Sequence, residues 1–381
     1  MVELADVFRR FADSYLAAYG ATMPRWHRRA IDDIMACRTP ALGGQVWRCD
    51  ACAQEVFSYH SCRSRACPKC HSEQTQEWLE ARRAEILPCD YFHVTVTVPQ
   101  ELRPLLRSNQ RDGYGLLMKA AAEAIIELAR DRRYVGGTVG VLAVLHTWTQ
   151  QLVHHPHVHC LVTGGGVSVD GRDWYPARNG YLFPEKALAK LVRGKLKALL
   201  AQKRPGLVAP AAVWKKSWVV HVTPWGEEPD DVLRYLARYV FRTAITNSRI
   251  VACDETTVTI SYKDRKSLRL RTCRLPGHEF MRRFLQHVLP KGFHKVRYFG
   301  LWHPSKRAKA AQVRLRLNLD QTSRPLAEPA TPSEPSDPAA PADTKESCQK
   351  TEAPPPRTCP LCRKGHLIYV GRLTPKNALG P

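Results

Sequence analysis

Residues 146–162 read HTWTQQLVHHPHVHCLV, and the interpretation of the whole chain starts from this stretch. After Pro156 polar and apolar residues alternate with the two-residue period of a β-strand. His157 and His159 therefore share one face of the predicted strand, about 7 Å apart along it. Two imidazoles on one face can bind a single divalent metal ion.

A third ligand is needed to hold the ion, and His146 is placed to supply it. It follows the apolar run 139–145, which is predicted to be the preceding strand. The sequence thus predicts a three-histidine site on neighbouring strands. A lone His-x-His motif is more often a polar strand edge, so the prediction depends on the motifs below. His93, on the polar face of a strand predicted over 91–99, is an alternative third ligand.

The composition indicates a polyanionic partner. The 381 residues carry a formal net charge of +23, which makes nucleic acid the leading partner and a membrane surface its rival. No apolar run approaches the roughly 18 residues that span a bilayer, and the N-terminus lacks a signal-peptide layout. We therefore expect a cytoplasmic protein with no membrane partner. The 13 cysteines include several Cys-x-x-Cys pairs, which indicate zinc in a reducing compartment.

Two Cys-x-x-Cys pairs near the N-terminus predict a structural Zn²⁺ site. Cys49 and Cys52 are separated from Cys67 and Cys70 by 14 residues, a spacing close to that of four-cysteine zinc sites. These four are the predicted ligands. Other residues nearby could replace one of them or build a second site: His27, Cys37, His60, Cys62 and His71.

Basic residues accompany this module. Arg63, Arg65 and Lys69 lie in the predicted zinc loop, where a rigid backbone would present them to a phosphate backbone.

The second decisive stretch, residues 229–242, reads PDDVLRYLARYVFR. Acidic residues at its start and an apolar stripe predict a helix. Tyr235 and Tyr239, four residues apart, share a face of that helix away from the stripe. Arg234, Arg238 and Arg242 form an adjacent row suited to phosphates. Taken alone, the stretch is also compatible with two surface tyrosines beside a basic face.

Together the two stretches describe a chemistry. A tyrosine phenol can attack a phosphodiester of single-stranded DNA, release the 3′ oxygen and keep the bond energy as a 5′-phosphotyrosine. Histidine ligands suit Mn²⁺ or a weakly held Mg²⁺, which would polarise the phosphate. Paired tyrosines allow two successive transfers, as rolling-circle strand transfer requires.

These motifs resemble the HUH endonucleases, and within them the two-tyrosine rolling-circle transposases of the insertion-sequence-91 group. The resemblance runs from about residue 27 to 307 and includes 61–70, 97–99, 157–159, 235–239, 280–293 and 296–300. It implies an antiparallel sheet flanked by helices, an N-terminal zinc module, and Tyr235 and Tyr239 as nucleophiles. Similarity to conjugative relaxases supports His146 as third ligand, while Gln150 and Gln151 stay open because some HUH enzymes use glutamine.

The predicted fold class is α+β, an HUH nuclease domain with an N-terminal zinc-binding domain. The expected segments are a helical and zinc-binding domain (1–88), the transposase domain (89–307), a disordered linker (308–357) and a Cys-x-x-Cys tail (358–381). The tail is half a zinc ribbon: a complete site would need His366, Cys348 or another element, and a free tail is equally compatible.

The expected function is transposition by cleaving and rejoining single-stranded DNA at element ends and target DNA. Alternatives are a replication initiator or relaxase with the same chemistry, and a zinc DNA-binding protein without catalysis.

Overall fold

The computed structural model describes residues 2–70, 72–83, 85–178, 180–225, 232, 240, 243–264, 267–322 and 357–375. The helices are α1 Leu4–Tyr19, α2 Arg25–Ala36, α3 Ser72–Arg83, α4 Arg103–Ser108, α5 Gln110–Ala129, α6 Glu185–Lys203, α7 Gly277–Leu285 and α8 Arg307–Thr322. The strands are β1 Gly44–Cys49, β2 Glu55–Tyr59, β3 Tyr91–Thr97, β4 Gly140–Trp148, β5 His154–Thr163, β6 Gly165–Val167, β7 Trp174–Pro176, β8 Val219–Trp225, β9 Ile250–Cys253, β10 Thr257–Lys263, β11 Leu270–Pro276, β12 Val296–Gly300 and β13 Leu367–Leu373.

The functional site lies on a five-stranded sheet of order β12-β4-β5-β3-β8, in which every neighbouring pair is antiparallel. Alternation along these strands sends apolar side chains such as Val94, Val141 and Val158 to one face. Helices α5 and α6 cover that face, which is fully buried along the three central strands. The predicted α+β class with an antiparallel sheet flanked by helices is therefore confirmed.

The opposite face of the sheet carries a smaller apolar cluster beside the histidines. Tyr91, Leu142 and Leu161 belong to it, and so do Val232 and Val240. Both valines are helical and buried. This face therefore combines apolar packing with the polar strand positions that the sequence assigns to metal binding.

A second core joins the N-terminal helices to elements of residues 244–288. The apolar stripe of α1 packs on α7, where the rings of Phe8 and Phe284 meet edge-on with centroids 5.3 Å apart. The three-stranded sheet β11-β10-β9 adds Val258 and Ile260 to the same core. Sequence-distant elements thus form one packed body.

The chain divides into units that differ from the predicted domains. One unit comprises Met1–Cys37 with Ser61–Leu319, and the other comprises Arg38–His60 with Asp320–Pro381. Within the predicted segment 1–88, α1 and α2 bury their apolar faces against each other and against elements of residues 244–288.

The second unit contains the three-stranded sheet β13-β1-β2. The predicted tail thus contributes a strand to a sheet whose other strands come from the N-terminal region.

The first part of the predicted linker (308–357) forms a helix. Residues 307–322 are helical in α8, and Val313 is buried on it. Alanine, leucine and arginine, which favour helices, dominate this stretch. The rest of the predicted linker, 323–356, lies outside the described residues. Among the described helices none is long and apolar enough to cross a membrane.

Candidate active site and cysteine clusters

Three histidines on adjacent strands converge as the sequence predicts. His146 on β4 lies directly opposite His157 on β5, and His159 is two residues further along the same face. Their ligating nitrogens all lie within 4.8 Å of one another. Three nitrogens on one ion at about 2.1 Å would be separated by roughly 3 to 3.5 Å. Small side-chain rotations cover that difference, so the three imidazoles fit one divalent ion.

Hydrogen bonds orient two of these rings. The Nδ1 of His157 lies 2.7 Å from the carbonyl oxygen of His155, and a proton on Nδ1 donated to that oxygen leaves the Nε2 lone pair for a metal. The Nδ1 of His159 lies 2.9 Å from Nε2 of His93. The same tautomer of His159 would again present Nε2 to the ion.

His93, the alternative third ligand, contacts His159 and does not belong to the converging group of His146, His157 and His159. Thr95 also places its hydroxyl oxygen 3.2 Å from Nε2 of His93 and 3.3 Å from Nδ1 of His159. Burial, with a smaller contribution from His157, lowers the pKa of His93 to about 4, so its ring is neutral near pH 7. A neutral ring can accept the proton that His159 donates.

The side chain of Gln150, which stayed open as a ligand, has another partner. Its oxygen accepts a hydrogen bond of 2.7 Å from the backbone N–H of Lys263. The backbone carbonyls of Gln150 and Gln151 accept bonds from Arg249 and Arg283. Because His146 converges with His157 and His159, the geometry favours His146 as the third ligand.

The turn between β4 and β5 is held by residues that the sequence analysis did not single out. Leu152 occupies the left-handed region at φ 59°, and its carbonyl oxygen accepts bonds from Gln286 Nε2 at 3.0 Å and His287 Nε2 at 3.1 Å. His287 is buried, which lowers its pKa to about 3. The sequence shows only that His287 follows the apolar face of α7. Its hydrogen bond to Leu152 depends on tertiary contacts.

The predicted nucleophiles Tyr235 and Tyr239 lie outside the described residues, as do Arg234, Arg238 and Arg242. The described residues that bracket both tyrosines are Val232 and Val240, and both belong to the apolar cluster on the histidine face of the sheet.

The structure does not bring together Cys49, Cys52, Cys67 and Cys70, which the sequence predicts as one zinc site. Cys67 and Cys70 converge with Cys37 and Cys62, and Cys49 and Cys52 converge with Cys359 and Cys362. The physical reason is that Cys49 and Cys52 belong to the β1–β2 hairpin, which is part of a different folded unit from Cys67 and Cys70.

The first cluster suits zinc. Its sulfur atoms are 3.4 Å apart between Cys37 and Cys70 and 3.5 Å apart between Cys62 and Cys70. Four thiolates around one zinc at about 2.3 Å would be separated by roughly 3.8 Å. Hydrogen bonds from Cys62 and Cys67 hold the pKa of the Cys37 thiol far below its ordinary value. This cluster therefore supports a structural Zn²⁺. Its candidate ligands are Cys67 and Cys70, which the sequence predicted, with Cys37 and Cys62, which the sequence left open.

The basic residues of the zinc loop have different environments. The Arg65 guanidinium donates to the carbonyl oxygens of Leu289 at 2.8 Å, Pro290 at 2.6 Å and Phe293. Lys69 is paired with Glu3. Arg63 is exposed, with φ 52°. These contacts give Arg65 a structural role and leave Arg63 as the member best placed to meet a phosphate.

A groove of about 420 Å³ runs beside this loop. Its walls include Trp26, Arg63, Trp148, Lys291 and Lys295. Trp148 also stacks on His146, with ring centroids 4.7 Å apart. The groove thus combines cations and aromatic rings, and one of its walls is in contact with the histidine site.

Comparison with known proteins identifies the family. Residues 140–310 match the family described as "Putative transposase", and residues 7–98 match the family described as "Transposase zinc-binding domain". No solved structure matches the chain.

Two curated relatives cover most of the chain. It is 37% identical to "Putative transposase y4qJ" of Sinorhizobium fredii (strain NBRC 101917 / NGR234), over 97% of this chain and 94% of the relative. It is 28% identical to "Transposase for insertion sequence element IS801" of Pseudomonas savastanoi pv. phaseolicola, over 71% of this chain and 68% of the relative. The chain therefore belongs to the transposases of the insertion-sequence-91 group.

Proposed function

We propose that this transposase cleaves and rejoins single-stranded DNA at the ends of its element through 5′-phosphotyrosine intermediates on Tyr235 and Tyr239. The observation that carries the proposal is the convergence of His146, His157 and His159 on one sheet face. Its substrates are single-stranded element ends and target DNA, in line with the net charge of +23.

The positions of Val232 and Val240 support the assignment of the nucleophiles. Both valines are helical and packed on the histidine face of the sheet. Val232 precedes and Val240 follows both tyrosines in the sequence. The chain on either side of the proposed nucleophiles is therefore packed on the same sheet face as the histidines.

The reaction balances without an external energy source. The phenol oxygen of one tyrosine forms a bond to phosphorus, the bond from phosphorus to the 3′ oxygen breaks, and the phenol proton is passed through solvent to the leaving 3′ oxygen. Three neutral imidazoles leave a bound Mg²⁺ or Mn²⁺ its full charge, which would polarise the phosphate oxygens and orient the group for in-line attack. The second tyrosine allows a second transfer before the first product leaves.

The groove beside the histidines offers a path for the strand. Trp26 and Trp148 provide rings on which bases can stack, and Arg63 and Lys291 provide charge for the backbone. Because Trp148 touches His146, a base stacked there would hold its phosphate near the metal ligands. Such a groove favours unpaired DNA, since bases in a duplex have no exposed faces.

The test uses purified full-length protein, Mn²⁺ or EDTA, and single-stranded oligonucleotides from the element's ends. If the protein retains the 5′ phosphate, a 3′-labelled oligonucleotide yields a labelled protein band on a denaturing gel. A 5′-labelled oligonucleotide yields a shorter DNA with a free 3′ hydroxyl. We expect both products with Mn²⁺ and neither with EDTA. The Tyr235→Phe/Tyr239→Phe variant should form no adduct, whereas Tyr181→Phe, at an exposed tyrosine, should behave as wild type.

Other results would exclude the proposal. An adduct that survives in the double Tyr→Phe variant would assign the nucleophile elsewhere. Tight binding with no adduct on any end would favour a DNA-binding protein without catalysis. Cleavage of a replication origin in preference to element ends would favour an initiator or relaxase.

A further inference from the structure

We infer that the chain holds a second structural Zn²⁺, bound by Cys49, Cys52, Cys359 and Cys362, in a zinc ribbon split between the two ends of the sequence. The matched zinc-binding family spans residues 7–98, so two of these four ligands lie outside it. The sequence left the C-terminal pair as half a ribbon. The folded chain supplies the missing half from the β1–β2 hairpin.

The sulfur positions fit a tetrahedral zinc. Cys49 Sγ is 3.6 Å from Cys362 Sγ, and Cys52 Sγ is 3.9 Å from Cys359 Sγ. Tetrahedral zinc with four thiolates requires roughly 3.8 Å between sulfurs. All four cysteines are unbridged, and each pair crosses between the two sequence ends. A single ion would therefore bind both ends at once.

The two Cys-x-x-Cys segments have matching backbones. In each, the residue after the second cysteine is left-handed, Ala53 at φ 58° and Arg363 at φ 57°. That residue donates its N–H to the carbonyl of the first cysteine, at 3.0 Å in one segment and 2.9 Å in the other. Neither left-handed residue is a glycine, so the conformation costs energy twice. Two independent turns that adopt the same strained geometry around four sulfurs are best explained by a common ligand.

Backbone amides also point at the sulfurs. The N–H of Cys52 lies 3.5 Å from Cys49 Sγ, and the N–H of Gly365 lies 3.4 Å from Cys362 Sγ. Amide hydrogen bonds stabilise thiolate charge, which is the form that binds zinc. One cysteine of each segment therefore accepts a backbone amide bond, the first in Cys49–Cys52 and the second in Cys359–Cys362.

Close contacts interlock the two segments. A Cβ on Gly365 would come within 2.5 Å of Cys49 Sγ and of Asp50 Oδ1, so only glycine allows this approach. Asp50 accepts a 2.7 Å bond from the backbone N–H of His366 and donates its own N–H to the His366 carbonyl at 3.1 Å. His366, a ligand candidate in the sequence, thus contributes its backbone and stays outside the four converging residues.

The rest of the ribbon is too small to hold the tail by apolar burial. β13 pairs antiparallel with β1 from Gly44 opposite Leu373 to Cys49 opposite Leu367. Yet Ile368, Tyr369 and Val370 on that strand remain about half exposed, at 58%, 53% and 49%. A three-stranded sheet with so little core needs a metal or disulfides to be stable. The metal would thus be the main attachment of the C-terminal strand.

Metal analysis of the full-length protein tests the inference directly. We expect two zinc ions per chain in the wild type and one in Cys359→Ser/Cys362→Ser. Cys273→Ser, at a cysteine of β11 outside both clusters, should retain two. The single variant Cys359→His, which keeps a zinc ligand at this position and leaves Cys362 intact, should also bind two zinc ions. One zinc in the wild type, or unchanged zinc in the double variant, would overturn the inference.

Cleavage between the halves supplies a second readout. A protease site is inserted within 325–356, and cleavage there cuts the chain into two fragments that are no longer covalently linked. With zinc present, the C-terminal fragment should remain bound to the N-terminal fragment during gel filtration, and a chelator should release it. In Cys359→Ser/Cys362→Ser the fragment should separate without chelator. Co-elution that survives both chelation and the double substitution would show that another interaction holds the tail.

Discussion

His146 and His157 lie directly opposite each other across the β4–β5 ladder, with their ring centroids 5.6 Å apart. Opposed residues on antiparallel strands have Cβ atoms about 5 Å apart, so the ladder itself brings two ligands together. His159 completes the set from the next position on the same face. Because strand register fixes these distances, the sheet itself and not a loop positions the three imidazoles.

Removing a ligand should abolish chemistry and leave binding intact. We expect His157→Ala and His146→Ala each to lower Mn²⁺-dependent cleavage of labelled end oligonucleotides by at least about 100-fold, because two imidazoles hold the ion weakly. DNA affinity measured by fluorescence anisotropy should change less than about 3-fold, since most of it comes from cations. His303→Ala, at an exposed histidine, is the control. Normal cleavage by His157→Ala would mean that the metal site is elsewhere.

His93 should tune the site through His159. His93→Phe removes the hydrogen-bond partner 2.9 Å from Nδ1 of His159, and loss of such a partner typically costs about 10- to 100-fold in metal affinity. The expected result is a rise of that size in the Mn²⁺ concentration for half-maximal cleavage, with rate recovered at saturating Mn²⁺. His93→Gln, which can still accept the bond, should lie closer to wild type. A loss of rate that saturating metal fails to recover would make His93 a direct participant.

Arg63 and Arg65 form a matched pair with opposite expected effects. Arg65→Gln removes a charged donor from three carbonyl groups and should lower the free energy of unfolding by about 2 to 4 kcal/mol. Arg63→Gln should leave stability unchanged within about 0.5 kcal/mol. It should weaken single-stranded DNA binding and reduce the slope of log affinity against log salt by about 0.7. Thermal unfolding and salt titrations separate the two effects, and a salt slope changed only by Arg65→Gln would reverse the assignment.

Acid should destabilise the fold through His287. Burial lowers the pKa of His287 from 6.5 to about 3, so the folded state keeps it neutral while the unfolded state takes up a proton below pH 6.5. Stability is therefore fully present above pH 6.5 and falls as the pH decreases toward 3. Between pH 6.5 and 4.5 this one residue should account for a loss of about 2 to 3 kcal/mol.

Chemical denaturation at several pH values checks this expectation. His287→Gln can still donate a hydrogen bond to Leu152 but cannot titrate, so its stability should decline less over the same range. An equally steep decline in wild type and His287→Gln would show that other groups dominate acid unfolding.

The two tyrosines should be needed at different points of one reaction. We expect Tyr235→Phe and Tyr239→Phe each to block strand transfer between two ends, because two successive covalent transfers need two phenols. At least one of the single variants should still form the covalent adduct that the double variant lacks. Joining assays with paired, separately labelled oligonucleotides measure this. Full strand transfer by either single variant would mean that one tyrosine suffices.

The local patterns determined much of this site. A two-residue period over residues 154–163 and 91–97 fixed which side chains share a face, and this period holds wherever one face is buried. The histidine ligands followed from that alternation and from the apolar strand before them.

The cysteines show where local spacing fails. A Cys-x-x-Cys turn specifies two ligands of a tetrahedral ion but carries no information about the other two, because they can come from any distance along the chain. Cys67 meets Cys37, and Cys52 meets Cys359, which is 307 residues away. The sequence by itself therefore determined the ligand types, the strand faces and the family. Tertiary structure alone decided which cysteines are grouped together, that Arg65 is the arginine bonded to backbone carbonyls, and that His93 is the ring bonded to His159. These features depend on contacts between elements that are distant in sequence.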